Sequence, residues 1–561
     1  MSALTAPPRQ PPIQTRHTSL TTLLLDQLVY ATRELWRGRV AFIFTFLFPL
    51  TWLLVLGFIA GNATISPTSH VRMMQYVTPT AGVMGVLYGA YPTVAASLAD
   101  ARERGLLKRF RGTPVPAWVY LAGRIGAAVL SAIASLVLML AVGVLGYDVQ
   151  IQWRTALATL VTVVLAIAAF AAAGLAVASL TRSAAMSQAV AISTAVVVAF
   201  LSGVMVWGDL PGWADRIAGF FPLKPFNDAL RDQFDPFGTG AGWDLGALAV
   251  IGAWAVGAAL VAARSFRWAP AVEGPRLGRR RQPAAVEAPE APVGTEAIHG
   301  AAALTADLAG RPSEAAMVQA QALWATRGAL RDLGWVFFAV AMPVGLYAFI
   351  ASVIRGQAPS GPLPYAVELA AGMIAWGVVV NCFVNLPEAV ARARDQGILK
   401  RLQGAPLPAY AYLAGRLLSV LAIVWVTAAL VLVIGRPWFD LRPTAAGLPL
   451  AAAVLVLGSG SLAACGFLMA ALLPNSRAVT AVGLGIALPL AFFSNVFAIS
   501  ATPSWMTTVG AFFPLEHLAK ALSLAFAPGG ATVSWSALGV MTAWLLGAGF
   551  LAARRGLAPH S

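Results

Sequence analysis

Glu103-Arg-Gly-Leu-Leu-Lys-Arg-Phe-Arg-Gly-Thr-Pro-Val-Pro-Ala-Trp-Val-Tyr-Leu-Ala-Gly-Arg124 returns, little changed, as Asp395-Gln-Gly-Ile-Leu-Lys-Arg-Leu-Gln-Gly-Ala-Pro-Leu-Pro-Ala-Tyr-Ala-Tyr-Leu-Ala-Gly-Arg416. Pro114 and Pro406 lie 292 positions apart, and Pro222 and Pro514, each closing a Phe-Phe-Pro triplet, keep that offset. A constant offset from landmark to landmark marks an internal duplication, which has to be recognised before any fold is read.

Each stretch sets a basic, proline-terminated turn between long apolar runs. Gly105 and Gly397 can break the helix that precedes them. Beyond them, Leu106, Leu107 and Phe110, and again Ile398, Leu399 and Leu402, share one face of a short helix. Lys108, Arg109 and Arg111, with Lys400 and Arg401 in the second copy, fall elsewhere on it. Glu103 and Asp395 are read as the start of that helix, where a carboxylate suits the positive dipole end. Pro114 with Pro116, and Pro406 with Pro408, stop it, because proline lacks the amide donor and restricts its predecessor.

These residues resemble the permease subunits of type-2 ABC exporters, whose loop between the second and third membrane helices carries an acidic-Gly-(Leu)-Lys-Arg pattern closed by proline. The resemblance covers nearly all of both halves, although only this loop is motif-like. It implies that the loop residues Glu103, Gly105, Leu107, Lys108, Arg109, Phe110 and Pro114 contact an ATPase subunit. Asp395, Gly397, Leu399, Lys400, Arg401, Leu402 and Pro406 would do the same in the second copy. Ala101 and Ala393 depart from the pattern where the family often has a second carboxylate, as do Leu106 and Ile398 where it often has Thr.

Composition points to the membrane independently. Of 561 residues 59% are hydrophobic and 11% charged, where soluble chains carry about 25% charged residues. Several apolar runs reach the ~20 residues that a helix needs to cross hydrocarbon. The expected class is an all-α polytopic membrane protein with twelve spans in two parallel six-helix bundles. In the first half the spans are Val40–Ala60, Gln75–Ser97, Trp118–Leu145, Thr155–Leu180, Ala184–Val206 and Leu245–Ala263. In the second they are Val336–Val353, Ala366–Val384, Ala409–Ile434, Ala445–Leu473, Ala478–Ile499 and Ser534–Ala553. Residues 1–39 read as a tail plus an interfacial amphipathic helix, 40–263 as the first half and 264–312 as a linker. A second interfacial helix follows at 313–335, then the second half at 336–553 and a tail at 554–561.

Net charge of +15 fits arginines on cytoplasmic loops rather than a nucleic-acid partner. Arg102, Arg104, Lys108, Arg109, Arg111, Arg264 and Arg267 fall on one side, whereas the segment before the sixth span holds Asp209, Asp215, Asp228, Asp232 and Asp235. Both chain ends are therefore expected in the cytoplasm of a bacterial plasma membrane.

No phosphate-binding glycine loop, nucleophilic triad or metal-ligand cluster is present in the sequence, so the chain reads as a transport subunit without its own ATPase site. Cys382 and Cys465 lie in apolar runs and read as small buried side chains. ATP and Mg²⁺ are expected on two copies of a separate nucleotide-binding subunit, with no cofactor on this chain. A secondary carrier also has twelve spans, but it usually places an ionisable group near the midplane, and Glu368 and Glu388 sit near predicted span ends. A membrane transferase would need clustered carboxylates, which the basic loops lack. For an amphipathic small-molecule cargo, Tyr88, Tyr91, Asn381, Phe383 and Asn385 are candidate path residues. Resemblance to the antibiotic-exporting branch favours a drug-like cargo over a lipid or lipid-linked glycan. Phe221, Pro222, Phe513 and Pro514 are candidates for an external gate, or for interfacial anchors.

Overall fold

A computed structural model describes residues 19–37, 42–61, 63–64, 71–106, 117–205, 212–265, 313–353, 363–403, 407–497 and 503–555. The expected tail before residue 19 and nearly all of the expected linker lie outside them. Among the described residues, ten helices are long and apolar enough to cross a membrane. Two shorter apolar ones, Thr45–Ala60 and Met186–Leu201, stand where the first and fifth spans are expected. Among the described residues the only β-type pairing is an isolated bridge between Thr64 and Arg72. The all-α polytopic class therefore holds.

The first half runs through α1 (Leu20–Arg37), α2 (Phe48–Ala60), α3 (Met74–Glu103), α4 (Ala117–Tyr147), α5 (Ala156–Leu180) and α6 (Ala184–Leu201). It continues with the short α7 (Gly212–Phe220) and α8 (Leu223–Gln233) and closes with α9 (Leu245–Ser265). The second half repeats this order. It comprises α10 (Glu314–Leu330), α11 (Gly334–Val353), α12 (Tyr365–Asp395), α13 (Ile398–Gln403), α14 (Ala409–Phe439), α15 (Gly447–Leu472) and α16 (Ser476–Phe493). Then come α17 (Ser504–Gly510), α18 (Pro514–Ala525) and α19 (Trp535–Arg555). The second span of each half is central, with the apolar windows of α3 and α12 89% and 94% buried, whereas α9 and α19 are peripheral at 22% and 17%.

Proline shapes the first span of both halves. Pro49 and Pro343 lack an N–H, so the carbonyls four residues earlier, at Thr45 and Ala339, lose their ordinary helical donor. Both spans respond with a π-helical turn just before the proline, Ile43–Leu47 and Phe337–Ala341. Both freed carbonyls also gain a donor from the third span. The Ser135 hydroxyl donates to Thr45 O at 2.6 Å and the Thr427 hydroxyl to Ala339 O at 3.1 Å. Hydrocarbon offers no water to take that role.

Ser135 reaches Thr45 because α3 and α4 pack closely. A Cβ on Gly85 would lie 2.2 Å from Ser135 Oγ, and one on Gly89 would lie 2.9 Å from the Ala132 backbone. Small residues at such crossings let membrane helices approach. Cys382 is buried, Cys465 half-buried, and both are free thiols.

Among the described residues, the halves meet along two seams. In one, α6 packs against the start of α11; in the other, α16 packs against α2 and its π turn. Gly85→Val is expected to overpack the α3–α4 crossing and destabilise the protein by about 1–3 kcal/mol. Gly257→Val, on α9 where an added Cβ meets nothing, should leave thermal unfolding of the detergent-purified protein unchanged. Equal unfolding midpoints for both variants would contradict the packing account.

Candidate functional site

The basic loops are joined to the bundle by one device, built twice. Arg102, next to last in α3, donates from its guanidinium to Ala178 O at 2.7 Å and Thr181 O at 2.5 Å. Arg394 in α12 donates to Ala470 O and Leu473 O, both at 2.7 Å. These carbonyls end α5 and α15, where the last helical turn has no intrahelical donors. The following acidic residue serves the next helix. Glu103 Oε2 accepts from the Ala184 amide and Asp395 Oδ2 from the Ser476 amide, each at 2.8 Å. Those amides begin α6 and α16, where a carboxylate complements the positive helix end. Ser183 Oγ and Asn475 Oδ1 cap the same helices by accepting from Met186 N and Ala478 N.

One Arg-acid dipeptide thus clasps the end of the second span to the hairpin between the fourth and fifth. Sequence reading placed Glu103 and Asp395 at the start of the short loop helix. They instead close α3 and α12, and their carboxylates face a different helix N-terminus. Sequence reading counted Arg102 only as a loop charge and passed over Arg394. The signal was present, because an arginine directly precedes the acid in both copies.

Gly105 and Gly397 follow the clasp, each at φ +69°, with open space where a Cβ would stand. Backbone conformation rather than packing requires glycine there. Beyond Gly397, α13 turns Ile398, Leu399 and Leu402 half inward and leaves Lys400 and Arg401 exposed, as the spacing predicts. Leu107, Lys108, Arg109, Phe110, Pro114 and Pro406 lie outside the described residues. Ala101 and Ala393 are buried; a carboxylate at either position would lose its water.

The amphipathic helix α1 and its counterpart α10 lie against the third spans. Gly123 meets Gln27 and Gly415 meets Gln321, each closely enough that a Cβ would clash. Arg416 stacks over the Trp324 and Tyr412 rings at 5.5 and 5.3 Å.

The candidate path residues divide. Tyr88 is buried edge-on against Phe48 at 5.6 Å. Asn381 is fully buried, its amide donating to Gly377 O at 2.8 Å and Ala339 O at 3.2 Å. Phe383 is buried and Asn385 half-buried, both in the π-helical turn Val379–Asn385 of α12. Tyr91 is half-buried, its hydroxyl 2.7 Å from Thr194 Oγ1 on α6, and Thr194 in turn lines a cavity. That cavity, of about 410 Å³, lies in the α6–α11 seam, between Val190, Ser193, Thr194 and Val197 on one side and Phe337 on the other.

The aromatic pairs before Pro222 and Pro514 pack on the last span of their own half. Phe221 lies 5.8 Å from the Trp254 ring and Phe513 lies 6.3 Å from the Trp544 ring. The indole N–H groups of Trp254 and Trp544 donate to Phe220 O and Phe512 O at 2.7 and 2.8 Å. Pro222 caps α8 and Pro514 opens α18. Next in sequence, Lys224 pairs with Asp228 at 2.7 Å and Asp215 at 3.1 Å. Burial pulls the Lys224 ammonium down, but the bonds and charges of those carboxylates outweigh it and raise its pKa.

A duplicated helical bundle with proline-bent first spans, buried second spans and clasped loops describes a two-half membrane permease. The sequence matches the ABC-2 type transporter family over residues 28–234 and again over 321–526, and the chain belongs to that family. Comparison with individually curated proteins returns no match.

Hydrogen bonds from a charged donor contribute about 1.5–3 kcal/mol each, so Arg394→Met, which removes two, is expected to lower the thermal unfolding midpoint clearly. Arg394→Lys, a point charge without the planar fork, should restore only part of the loss. An unchanged midpoint in Arg394→Met would show that the clasp holds nothing together.

Proposed function

We propose that the chain supplies both transmembrane halves of the permease of an ATP-driven exporter, the two facing one another across the bundle. Two copies of a separately encoded ATPase subunit, carrying ATP and Mg²⁺, would dock beneath the paired basic loops. The observation that carries this reading is the duplicated clasp. A push on an exposed turn such as Ile398–Gln403 is delivered through Asp395 and Arg394 into the hairpin between α15 and α16. Because α16 and α6 line the seams, moving their hairpins shifts one half against the other. A ligand-driven rearrangement needs differential contact with two states, and closure of an ATPase dimer that draws the two feet together supplies it. The basic loops and both chain ends then lie in the cytoplasm of a bacterial plasma membrane.

The cargo in this reading is an amphipathic, drug-like small molecule leaving the cytoplasm or inner leaflet. The cavity along α6, whose lining is almost wholly apolar, supports it.

Charge reversal of both loops, Lys108→Glu with Lys400→Glu, is expected to leave membrane insertion intact while reducing co-purification of the ATPase subunit severalfold. Undiminished recovery would remove the docking role. Sealed vesicles holding the complete transporter should accumulate cargo when given ATP, with or without an uncoupler. Uptake driven by a pH gradient without ATP would assign the chain to secondary carriers instead.

A further inference from the structure

Each copy of the duplicated motif ends in Tyr-Leu-Ala-Gly-Arg, residues 120–124 and 412–416, at the start of a third span. Neither the clasp nor the basic turn uses that last arginine. Both arginines stack on the tyrosine one turn earlier, Arg124 over Tyr120 at 5.2 Å and Arg416 over Tyr412 at 5.3 Å. Their surroundings then differ. Arg124 is buried. Arg416 is half-buried at the junction of α10 and α14, where the exposed Trp324 presents a second ring at 5.5 Å. Ring faces satisfy the charge of a guanidinium but not the five N–H donors in its plane. Among the described residues no carboxylate or other hydrogen-bond acceptor is placed on those donors. The Tyr412 hydroxyl, on the ring that Arg416 covers, is also buried without a hydrogen-bond partner.

The register of α10 against α1 shows what changed. Gly123 meets Gln27 and Gly415 meets Gln321, so the two helices correspond at an offset of 294, that of Pro49 and Pro343. Gln27–Trp36 then matches Gln321–Leu330, and Ala31 and Ala325 are buried alike. Arg33 persists as Arg327. Glu34, the acid of that segment, becomes Gly328, which is exposed and has open space where a Cβ would stand. The acids that flank the segment in the second copy are engaged elsewhere. Glu314 shares a hydrogen bond with Tyr410, and Asp332 Oδ1 accepts from the Gly334 and Trp335 amides. The α10–α14 junction thus keeps both arginines and has exchanged its acid for space, on the side of the basic loops. Tryptophan is enriched at the level of lipid headgroups, and Trp324 lies at this junction.

We propose that the α10–α14 junction binds the phosphate of a phospholipid headgroup, with Arg416 as the contacting cation. A guanidinium held flat by rings offers its planar fork to two phosphate oxygens at once. The phosphate comes from the leaflet on the side of the basic loops, where anionic headgroups attract cationic segments next to a span. Trp324 is a positioning residue that keeps the guanidinium at that level. The bound lipid ties α10 to α14, adding to the bond between the Thr326 and Ser419 hydroxyls at 2.8 Å. The proposal requires only that the chain stands in a membrane, and it is independent of ATP-driven export.

The test uses the delipidated full chain in maltoside detergent, titrated with dioctanoyl phosphatidylglycerol. Amide hydrogen exchange over residues 314–330 reads the site locally, because a ligand that ties α10 down slows its opening. Protection is expected to saturate. Arg416→Gln should raise the half-maximal lipid concentration at least about tenfold, the worth of one charge-assisted hydrogen bond. Arg416→Lys should recover part of that loss, since it restores charge without the fork. Gly328→Glu returns the acid found in the first copy and should weaken binding at least about fivefold, as an opposed charge does. That change also improves helix propensity, so it decides the matter if Arg416→Gln fails to fold. Arg327→Gln should stay within about twofold, because general attraction to the exposed helix is not the source of binding. Unsaturable protection, full protection in Arg416→Gln or in Gly328→Glu, or an equal loss in Arg327→Gln would each overturn the proposal. So would equal protection by dioctanoylglycerol, which has the tails without phosphate, or by inorganic phosphate at the same concentration, which would assign the site to a soluble anion.

Discussion

Hydrocarbon supplies no hydrogen bonds, and every break in a membrane helix has to be answered from within the protein. That constraint accounts for the most regular features of this chain. Where Pro49 and Pro343 strip a donor from the backbone, Ser135 and Thr427 provide one from a neighbouring span. Where Pro92 does so in α3, the Thr93 hydroxyl donates to Tyr88 O at 3.0 Å. Where α5 and α15 end, guanidinium groups occupy their last carbonyls, and where α6 and α16 begin, carboxylates receive their first amides. The clasp is therefore a solution to backbone satisfaction before it is anything else. Its mechanical use follows from the same bonds, since groups that complete a helix end are fixed to it.

Duplication preserved these solutions more faithfully than it preserved side chains. Position 89 is glycine and its counterpart 381 is asparagine. Gly89 lets α3 settle against the backbone of Ala132. Asn381 instead reaches across to Ala339 O, the carbonyl that Thr427 also serves. Two different residues thus stabilise the bend of the first span, one by permitting approach and one by bridging distance. The π-helical turn around Asn381 belongs to the second half alone among the described residues, where α3 stays α-helical.

Much of this was legible beforehand. The repeat offset, the spans, the turn at Gly397 and the two-faced α13 follow from periodicity and from the backbone demands of glycine and proline, which are local properties. The clasp was not legible in its real form. Glu103 and Asp395 look like the start of a helix because they precede one, yet their partners stand 81 residues later in the chain. A linear reading assigns a capping residue to its neighbour, whereas packing assigns it to whatever helix end arrives. The candidate path residues meet a related difficulty: Tyr88, Tyr91, Asn381, Phe383 and Asn385 are all polar or aromatic groups in a span. Only the register of α3 against α6 distinguishes Tyr91, beside a cavity, from Tyr88, buried against Phe48.

Position 224 is lysine and position 516 is glutamate, and four residues on, Asp228 corresponds to Lys520 in the repeat. The sign of each pair is reversed between halves. Burial pushes the Glu516 carboxyl up, against the opposing pull of His517 and Lys520. In an assembly of two identical subunits the symmetry axis would repeat any charge at both places. Joined in one polypeptide, the halves are released from that rule, so the helices α8 and α18 carry charges of opposite order at corresponding positions.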